Sequence, residues 1–597
     1  MRDVGAIFYV ALATLSCGTA ERGAPCKPGE SEACSCAGKT AGGTRTCGGD
    51  GRFGVCQCCT PSKGTTMLPL FHEVSAEAGV AYHEGTPFDG FSNCIIKQYC
   101  DFNFLVGAAA AGDYDRDGYP DLYVSRTAGT PLLFHNQKDG TFTDVTAQAG
   151  LAITANWAGA AWVDIDNDRD LDLMAQTAGY GRHYLFVNQG NGTFSEEALT
   201  RGVALDDGQT KLATSVAIGD YDRDGWLDIH LAEWSMKGLL EFHGDPRFPD
   251  PDRPGHTRLL RNLGNASPGH FEDVTIPSGA LTDPPGSDGL FTRVFSFGNA
   301  LADFDGDDWP DLAVTGDFGT SRFFWNNQGQ FVESTLASGL GKEAYGMGSA
   351  VGDLDGDGKL DWYVTSISGG PACVQGFCSK EYGNHFYRYT ANRQFEDADP
   401  KLGIFDGLWA WGSAMVDVDN DGDLDVAQTN GVDYPLVPAG SIFTVDPNRF
   451  WRNDNGAFVE SAATLGFLDV RNGRGLLTFD YDRDGDVDIF VPNNGAMPTL
   501  FRNDGTHGDW LRVRVLTASG RDAIGAKVTL VHHEGEVPRL SVIGLGTHFL
   551  GQSENTAHFG LGLSASRVAT LTVHWHDTGK TTVLTDVEPN QELTVEP

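Results

Sequence analysis

The sequence predicts an all-β chain: a seven-bladed β-propeller over residues 65–505, then a small β-sandwich over residues 509–597. Three observations lead there. An acidic loop of the form D-x-D-x-D-x-x-x-D is written seven times, each inside a longer repeating unit. The unit itself reads as four short strands, with turn residues between them. Near Asp509 the repeat stops and a different alternating pattern begins.

The first seventeen residues read as an export signal. Ala6 to Leu15 is apolar, and Thr14-Leu15-Ser16-Cys17 resembles a bacterial lipobox, which implies lipid attachment at Cys17. An ordinary signal peptide cut near Ala20 is the alternative. Residues 18–64 form a Cys-rich, Gly-rich linker carrying Cys26, Cys34, Cys36, Cys47, Cys56, Cys58 and Cys59. It resembles the short linkers near the N-terminus of myxobacterial surface lipoproteins. Cys94 and Cys100, and Cys373 and Cys378, are two further local pairs and disulfide candidates, as expected of an oxidising compartment. A zinc knuckle in the linker is the rival reading. The expected location is the outer membrane or cell surface as a lipoprotein, or the medium as a secreted protein.

In each unit a small-residue strand precedes the acidic loop, as in Gly107 to Gly112. An apolar strand follows, as in Leu122-Tyr123-Val124. The third strand ends in Asn, as in Leu133-Phe134-His135-Asn136 or Phe324-Trp325-Asn326. A Gly-containing turn leads to a fourth, as in Phe142-Thr143-Asp144-Val145. Four strands per unit and seven units make a propeller. The seventh unit lacks its fourth strand, and Phe71-His72-Glu73-Val74 supplies one from the N-terminus. That arrangement closes the ring and removes exposed edges.

The loops gather Asp113, Asp115, Asp117 and Asp121; Asp164, Asp166, Asp168 and Asp172; Asp220, Asp222, Asp224 and Asp228; Asp303, Asp305, Asp307 and Asp311; Asp353, Asp355, Asp357 and Asp361; Asp417, Asp419, Asp421 and Asp425; Asp480, Asp482, Asp484 and Asp488. Such density is self-repelling unless a cation sits within it, and oxygen-only ligands at alternate positions suit a hard ion, above all Ca²⁺. Up to seven ions are expected. Five loops carry Gly at the sixth place. Arg169 and Asp308 stand there in the loops that start at Asp164 and Asp303, which sets those two sites apart. An EF-hand does not fit, because position 12 of the first loop is Val124 and the flanks are strands.

These units resemble the FG-GAP/VCBS repeats of integrin α-subunit propellers. The resemblance implies side-chain ligands at positions 1, 3, 5 and 9 of each loop and a backbone carbonyl at position 7. From Trp510 onward, Ile524-Gly525-Ala526-Lys527-Val528, Gly546 to Gln552, His558 to Gly562 and His574-Trp575 resemble the ASPIC/UnbV domain. Thr547-His548-Phe549 is a mild departure from its usual small-polar run. Propeller plus this domain resembles the cartilage acidic protein family of secreted, acidic, Ca²⁺-binding proteins.

The formal charge of −39 makes nucleic acid an unlikely partner, since phosphate contact needs clustered Lys and Arg. After the N-terminus no run is long enough to span a membrane, so membrane association is expected only through a lipid anchor. The long insertions, 80–105, 232–257, 276–296, 366–383 and 430–447, all fall on the face opposite the acidic loops. With Trp234, Phe242, His243, Phe248, Trp409 and Trp411 they make that face the expected site for a protein or glycan ligand. No catalytic residue is assigned: G-x-S-x-G and H-E-x-x-H are both absent. A carbohydrate-active enzyme of lyase or dehydratase type on the same scaffold, or a structural envelope component, are the alternatives.

Overall fold

The structure is a computed structural model. It describes residues 31–35, 42–46, 70–83, 106–127, 129–206, 210–234, 257–281, 294–368, 382–398, 402–432, 442–505, 508–563 and 567–597. The chain divides into two compact units, Met1–Met67 and Leu68–Pro597. In the first, Ser31–Ser35 pairs antiparallel with Gly42–Thr46. Everything below concerns the second. Cys17, Cys94, Cys100, Cys373 and Cys378 lie outside the described residues, as do Phe242, His243 and Phe248.

The described residues build a β-propeller of antiparallel four-stranded units, numbered here as blades 1 to 7. Blades 4 to 7 are separate sheets, blades 2 and 3 are joined into one sheet by pairing of Thr210–Leu212 with Ala178–Tyr180, and blade 1 is extended by two strands of the C-terminal region. Their inner strands are Ala109–Gly112, Trp157–Val163, Thr210–Gly219, Phe295–Ala302, Ser349–Gly352, Ala410–Val416 and Leu477–Phe479. Each inner strand packs on the next round the ring, and that of blade 7 packs on that of blade 1. Small residues permit this approach. A Cβ on Gly348 would lie 2.2 Å from the Trp411 carbonyl oxygen, and one on Gly112 2.7 Å from the Trp162 ring. Blade 7 takes its outer strand from Phe71–Glu73, which pairs with Thr499–Asn503. The ring therefore joins the two ends of the propeller within one sheet.

The Asn that ends the third strand locks the blades together. The Asn262 side-chain amide donates to the Leu227 carbonyl of its own loop (3.2 Å) and to the Ile165 carbonyl of blade 2 (2.8 Å). Asn136, Asn188, Asn326 and Asn503 repeat the same two bonds, each reaching back to the preceding blade. Their amides are buried, so each unmet partner would carry a desolvation penalty. Blade 5 has Tyr389 at this place; its backbone N–H still meets Asp361 at 2.9 Å.

The C-terminal region is the expected sandwich. Asp509–Val515 lies between Ala557–Gly562 and Gln591–Val595. The facing sheet runs Arg539–Val542, Lys527–Val531, Val568–His574, Thr581–Val587. Leu511, Val513, Val528, Leu530, Leu571 and Val573 fill the space between.

One excursion from the sandwich enters the propeller channel. Gly551–Gln552 runs parallel to Ala109–Ala110, adding to blade 1 at its inner edge. Phe549 is fully buried at the axis, with ring centroids 5.4 Å from Phe297 and 5.7 Å from Trp411. Gln552 accepts from the Trp162 N–H (2.6 Å) and donates to the Trp162 carbonyl (3.0 Å). The two domains thus share a core at the channel.

Truncating a wholly buried Phe costs about 3–5 kcal/mol. Phe549→Ala should therefore shift chemical denaturation of the full chain by that order. The loss should be largest in probes of the channel tryptophans Trp234 and Trp411.

Candidate metal centres and the domain that covers them

Each acidic loop is first a hydrogen-bonded turn. In the first, the Asp117 and Gly118 N–H groups donate to Asp113 at 2.9 and 3.0 Å, and the Tyr119 N–H donates to Asp117 at 3.0 Å. Position 9 starts the second strand. There Asp121 accepts from the Asn136 N–H (2.8 Å) and the Tyr114 N–H (3.3 Å), tying loop to third strand. Asp172, Asp228, Asp311, Asp425 and Asp488 repeat the pair of bonds. The sixth position needs a left-handed backbone. Arg169 and Asp308 adopt it, with φ of 80° and 70°, close to Gly225 at 88°. Both loops keep the turn despite lacking Gly: the Arg169 N–H reaches Asp164 (2.9 Å) and the Asp308 N–H reaches Asp303 (2.7 Å).

What the turn leaves over suits a cation. One oxygen each from Asp164, Asp166 and Asp172 lie within 4.8 Å of one another, as do those of the Asp220 and Asp303 loops and of Asp113, Asp115 and Asp117. Asp166, Asp222, Asp419 and Asp482, the third-position residues, each keep a buried oxygen with no hydrogen-bond partner. A repeated orphaned carboxylate oxygen is what a bound ion would satisfy. Electrostatics agree. Burial pushes the carboxyls of Asp121, Asp220 and Asp480 up to about 7 and that of Asp417 to about 8. It raises Asp172, Asp228, Asp361, Asp425 and Asp488 well above the usual range. A bare loop would hold protons near neutral pH; a divalent ion would displace them.

The sandwich sits on this acidic face. Alternation sets the contact: Leu511, Val513 and Val515 turn into the sandwich core, so Arg512 and Arg514 turn outward. Arg512 is buried and reaches Asp480 of blade 7 at 3.1 Å, Glu554 at 2.9 Å and Glu592 at 3.2 Å. Arg521 donates to Asn167 of blade 2 (2.5 Å) and to the Gly225 carbonyl of blade 3 (3.2 Å). Lys527 meets Asp303 of blade 4 at 2.5 Å. In blade 5 the Leu540 N–H donates to Asp353 (3.0 Å), and in blade 6 the Gly560 N–H donates to Asp417 (3.1 Å). Arg539 donates to the Gly422 carbonyl (3.2 Å). A cavity of about 480 Å³ remains between the sandwich and blades 5 to 7, walled by Asp355, Asp423, Arg539, Glu554 and His558 among others.

The opposite face is described only in part. Trp234 and Trp411 are buried in the channel core, and Trp409 packs on Phe443 with centroids 5.4 Å apart. Sequence reasoning found the acidic loops and the strand-ending Asn, but it missed the Asn clasp, the basic residues of the sandwich and the channel plug. The Arg-Val-Arg alternation at 512–514 was a usable signal for the second of these.

Comparison with known proteins agrees with the domain content. Residues 113–175, 176–231 and 303–364 match the FG-GAP-like repeat, and residues 516–597 match ASPIC and UnbV. Among curated proteins, cartilage acidic protein 1 of Homo sapiens is 31% identical over 167 residues, 27% of this chain and 24% of that protein. Its Mus musculus counterpart is 32% identical over the same length. The chain thus spans about a quarter of the length of the curated relatives it matches. Solved structures of low similarity include an Agrocybe aegerita lectin described as recognising non-reducing terminal N-acetylglucosamine. It shows a TM-score of 0.36 and 16% identity, and covers 66% of this chain and 94% of its own. Another is BBS1N in complex with ARL6DN, at a TM-score of 0.38 and 9% identity, covering 74% and 98%. Those scores are too low to bear on the fold or its use. The chain carries FG-GAP-like repeats and an ASPIC/UnbV domain, a combination it shares with cartilage acidic protein 1, and it has the make-up of a propeller-type binding module.

The ion pairs under the sandwich make docking sensitive to acid. Burial alone would raise the Glu554 carboxyl, but Arg483 at 2.7 Å and Arg512 overcome it and hold it at about 2. Its folded value lies below its unfolded one, so its stabilisation is present above about pH 4.5 and is lost as pH falls through about 2. Glu554→Gln should flatten that part of the stability–pH curve, measured by urea unfolding between pH 5 and pH 2. An unaltered curve would contradict the assignment.

Proposed function

We propose that the protein is an exported, Ca²⁺-stabilised propeller that binds a protein or glycan through the face opposite its acidic loops. The observation that carries this is the position of the sandwich. Its basic residues and backbone donors occupy the acidic face, and Phe549 fills the channel, so those loops are engaged within the chain. The strand order read from the sequence assigns the long insertions to the other face, and loops on a rigid scaffold are the usual place for recognition.

Calcium has a structural role in this reading. The orphaned oxygens of Asp166, Asp222, Asp419 and Asp482 support it, together with the raised carboxyl pKa values around them. In the loops that take an ion, the residues at positions 1, 3, 5 and 9 would hold it, and the ion would supply the positive charge that the carboxylates lack. Export, with Cys17 as the lipid-bearing residue, is part of the same proposal and fits the oxygen-rich sites to a calcium-containing environment.

An ion present at a hundredfold excess over its dissociation constant stabilises the folded state by about 2.7 kcal/mol per site. The melting midpoint should therefore fall by several degrees when EDTA replaces millimolar CaCl₂, and should recover on adding calcium back. An unchanged midpoint would remove the structural role. A glycan array probed with the full chain, with and without calcium, tests the ligand class; Ca²⁺-dependent binding to a defined set of sugars is expected if the ligand is a glycan.

A further inference from the structure

The fourth acidic loop differs from its neighbours in one respect: every carboxylate oxygen at its four defining positions already has a donor. Asp303 accepts from the Gly306 and Asp307 N–H groups through Oδ1 (2.8 and 3.0 Å). Through Oδ2 it accepts from the Asp308 N–H (2.7 Å) and the Lys527 ammonium (2.5 Å). Asp305 accepts from the Asp307 N–H (3.2 Å) and Arg393 Nε (2.6 Å). Asp307 accepts from the Trp309 N–H (3.0 Å) and Arg393 Nη2 (3.2 Å). Asp311 accepts from the Asn326 N–H (2.8 Å) and the Phe304 N–H (3.1 Å). By contrast, the second, third, fifth, sixth and seventh loops each keep a buried oxygen without a partner, on Asp166, Asp222, Asp361, Asp419 and Asp482.

We infer that Lys527, with Arg393, is the resident cation of the fourth loop, so that this loop takes no Ca²⁺ and pins the sandwich to the propeller at any calcium concentration. The inference rests on the calcium reading of the other loops. The donor set of the fourth loop does not fit a further divalent ion: its carboxylates face a neighbouring ammonium and guanidinium, and a second cation would meet their repulsion.

Two further features fit a built-in counter-charge. Asp308 stands where five loops have Gly, at a φ that Gly adopts at less cost. Its carboxylate meets Lys527 at 3.4 Å and His574 at 3.0 Å. Lys527 and His574 are directly paired across two sandwich strands, so the sheet register aims both at the same loop. The crevice where Lys527 meets Asp303 has only about 10 Å³ of free volume. That is at the lower limit for a single water, so the crevice leaves no room for a hydrated ion between Lys527 and Asp303.

Native mass spectrometry of the full chain at saturating calcium tests this by counting ions. Lys527→Met should bind one calcium more than the wild type, and Lys527→Arg should match the wild type. An unchanged count in K527M overturns the inference, as does loss of one ion from the wild type on Asp303→Asn. Thermal melting gives a second readout. In EDTA, K527M should melt below the wild type, and calcium should raise its midpoint by more than it raises the wild type's. If no variant binds calcium, the calcium reading of the other loops fails. The EDTA comparison then decides alone: equal midpoints overturn the role of Lys527, and a lower K527M midpoint upholds it as the loop's counter-charge.

Discussion

The arrangement depends on one electrostatic constraint: buried carboxylates cannot stay charged without positive charge beside them. Seven loops concentrate 28 of the chain's 81 acidic residues at one end of a ring of β-sheets. Backbone N–H groups absorb part of the charge, and side chains such as Arg261, Arg393 and Arg512 absorb more. The sandwich brings its cations to the same end. Its orientation on the propeller is set by which loop each cation can reach.

The balance between these sources of charge differs from loop to loop, which a repeat motif conceals. The third loop pairs Asp222 with Arg261 at 2.6 Å yet keeps the other Asp222 oxygen buried and unmet. The fourth has no such remainder. The seventh shares Arg512 among Asp480, Glu554 and Glu592, so one guanidinium serves propeller and sandwich together. Identical motifs therefore need not have identical ion requirements.

Much of the fold was legible because it is local. Short strands, turn residues and the acidic spacing are each written within a dozen positions, and the stray Phe71 strand advertised ring closure by resembling its counterparts. The unread parts are contacts between residues far apart in the chain. Asn262 looks like an ordinary strand end until its amide is seen on Ile165 of the neighbouring blade. Phe549 looked like a departure from a polar run, because nothing near it in sequence says that a channel will receive it. Arg169 and Asp308 stand where the other loops have Gly. In the fold they are contacts for the sandwich: Arg169 donates to the Ser519 carbonyl (2.5 Å) and Asp308 accepts from Lys527 and His574.

The joined ends of the ring also bear on how the chain must fold. The Ser75 hydroxyl donates to the Pro498 carbonyl across 423 positions of sequence, and the plug at Phe549 arrives later still. Contacts of such separation cost loop-closure entropy before they return any stability, so they form late. During synthesis the first strand of the ring has no partner, and the axis stays open until the final fifth of the chain has emerged. A ring built this way completes its packing only when the last domain arrives to fill the hole.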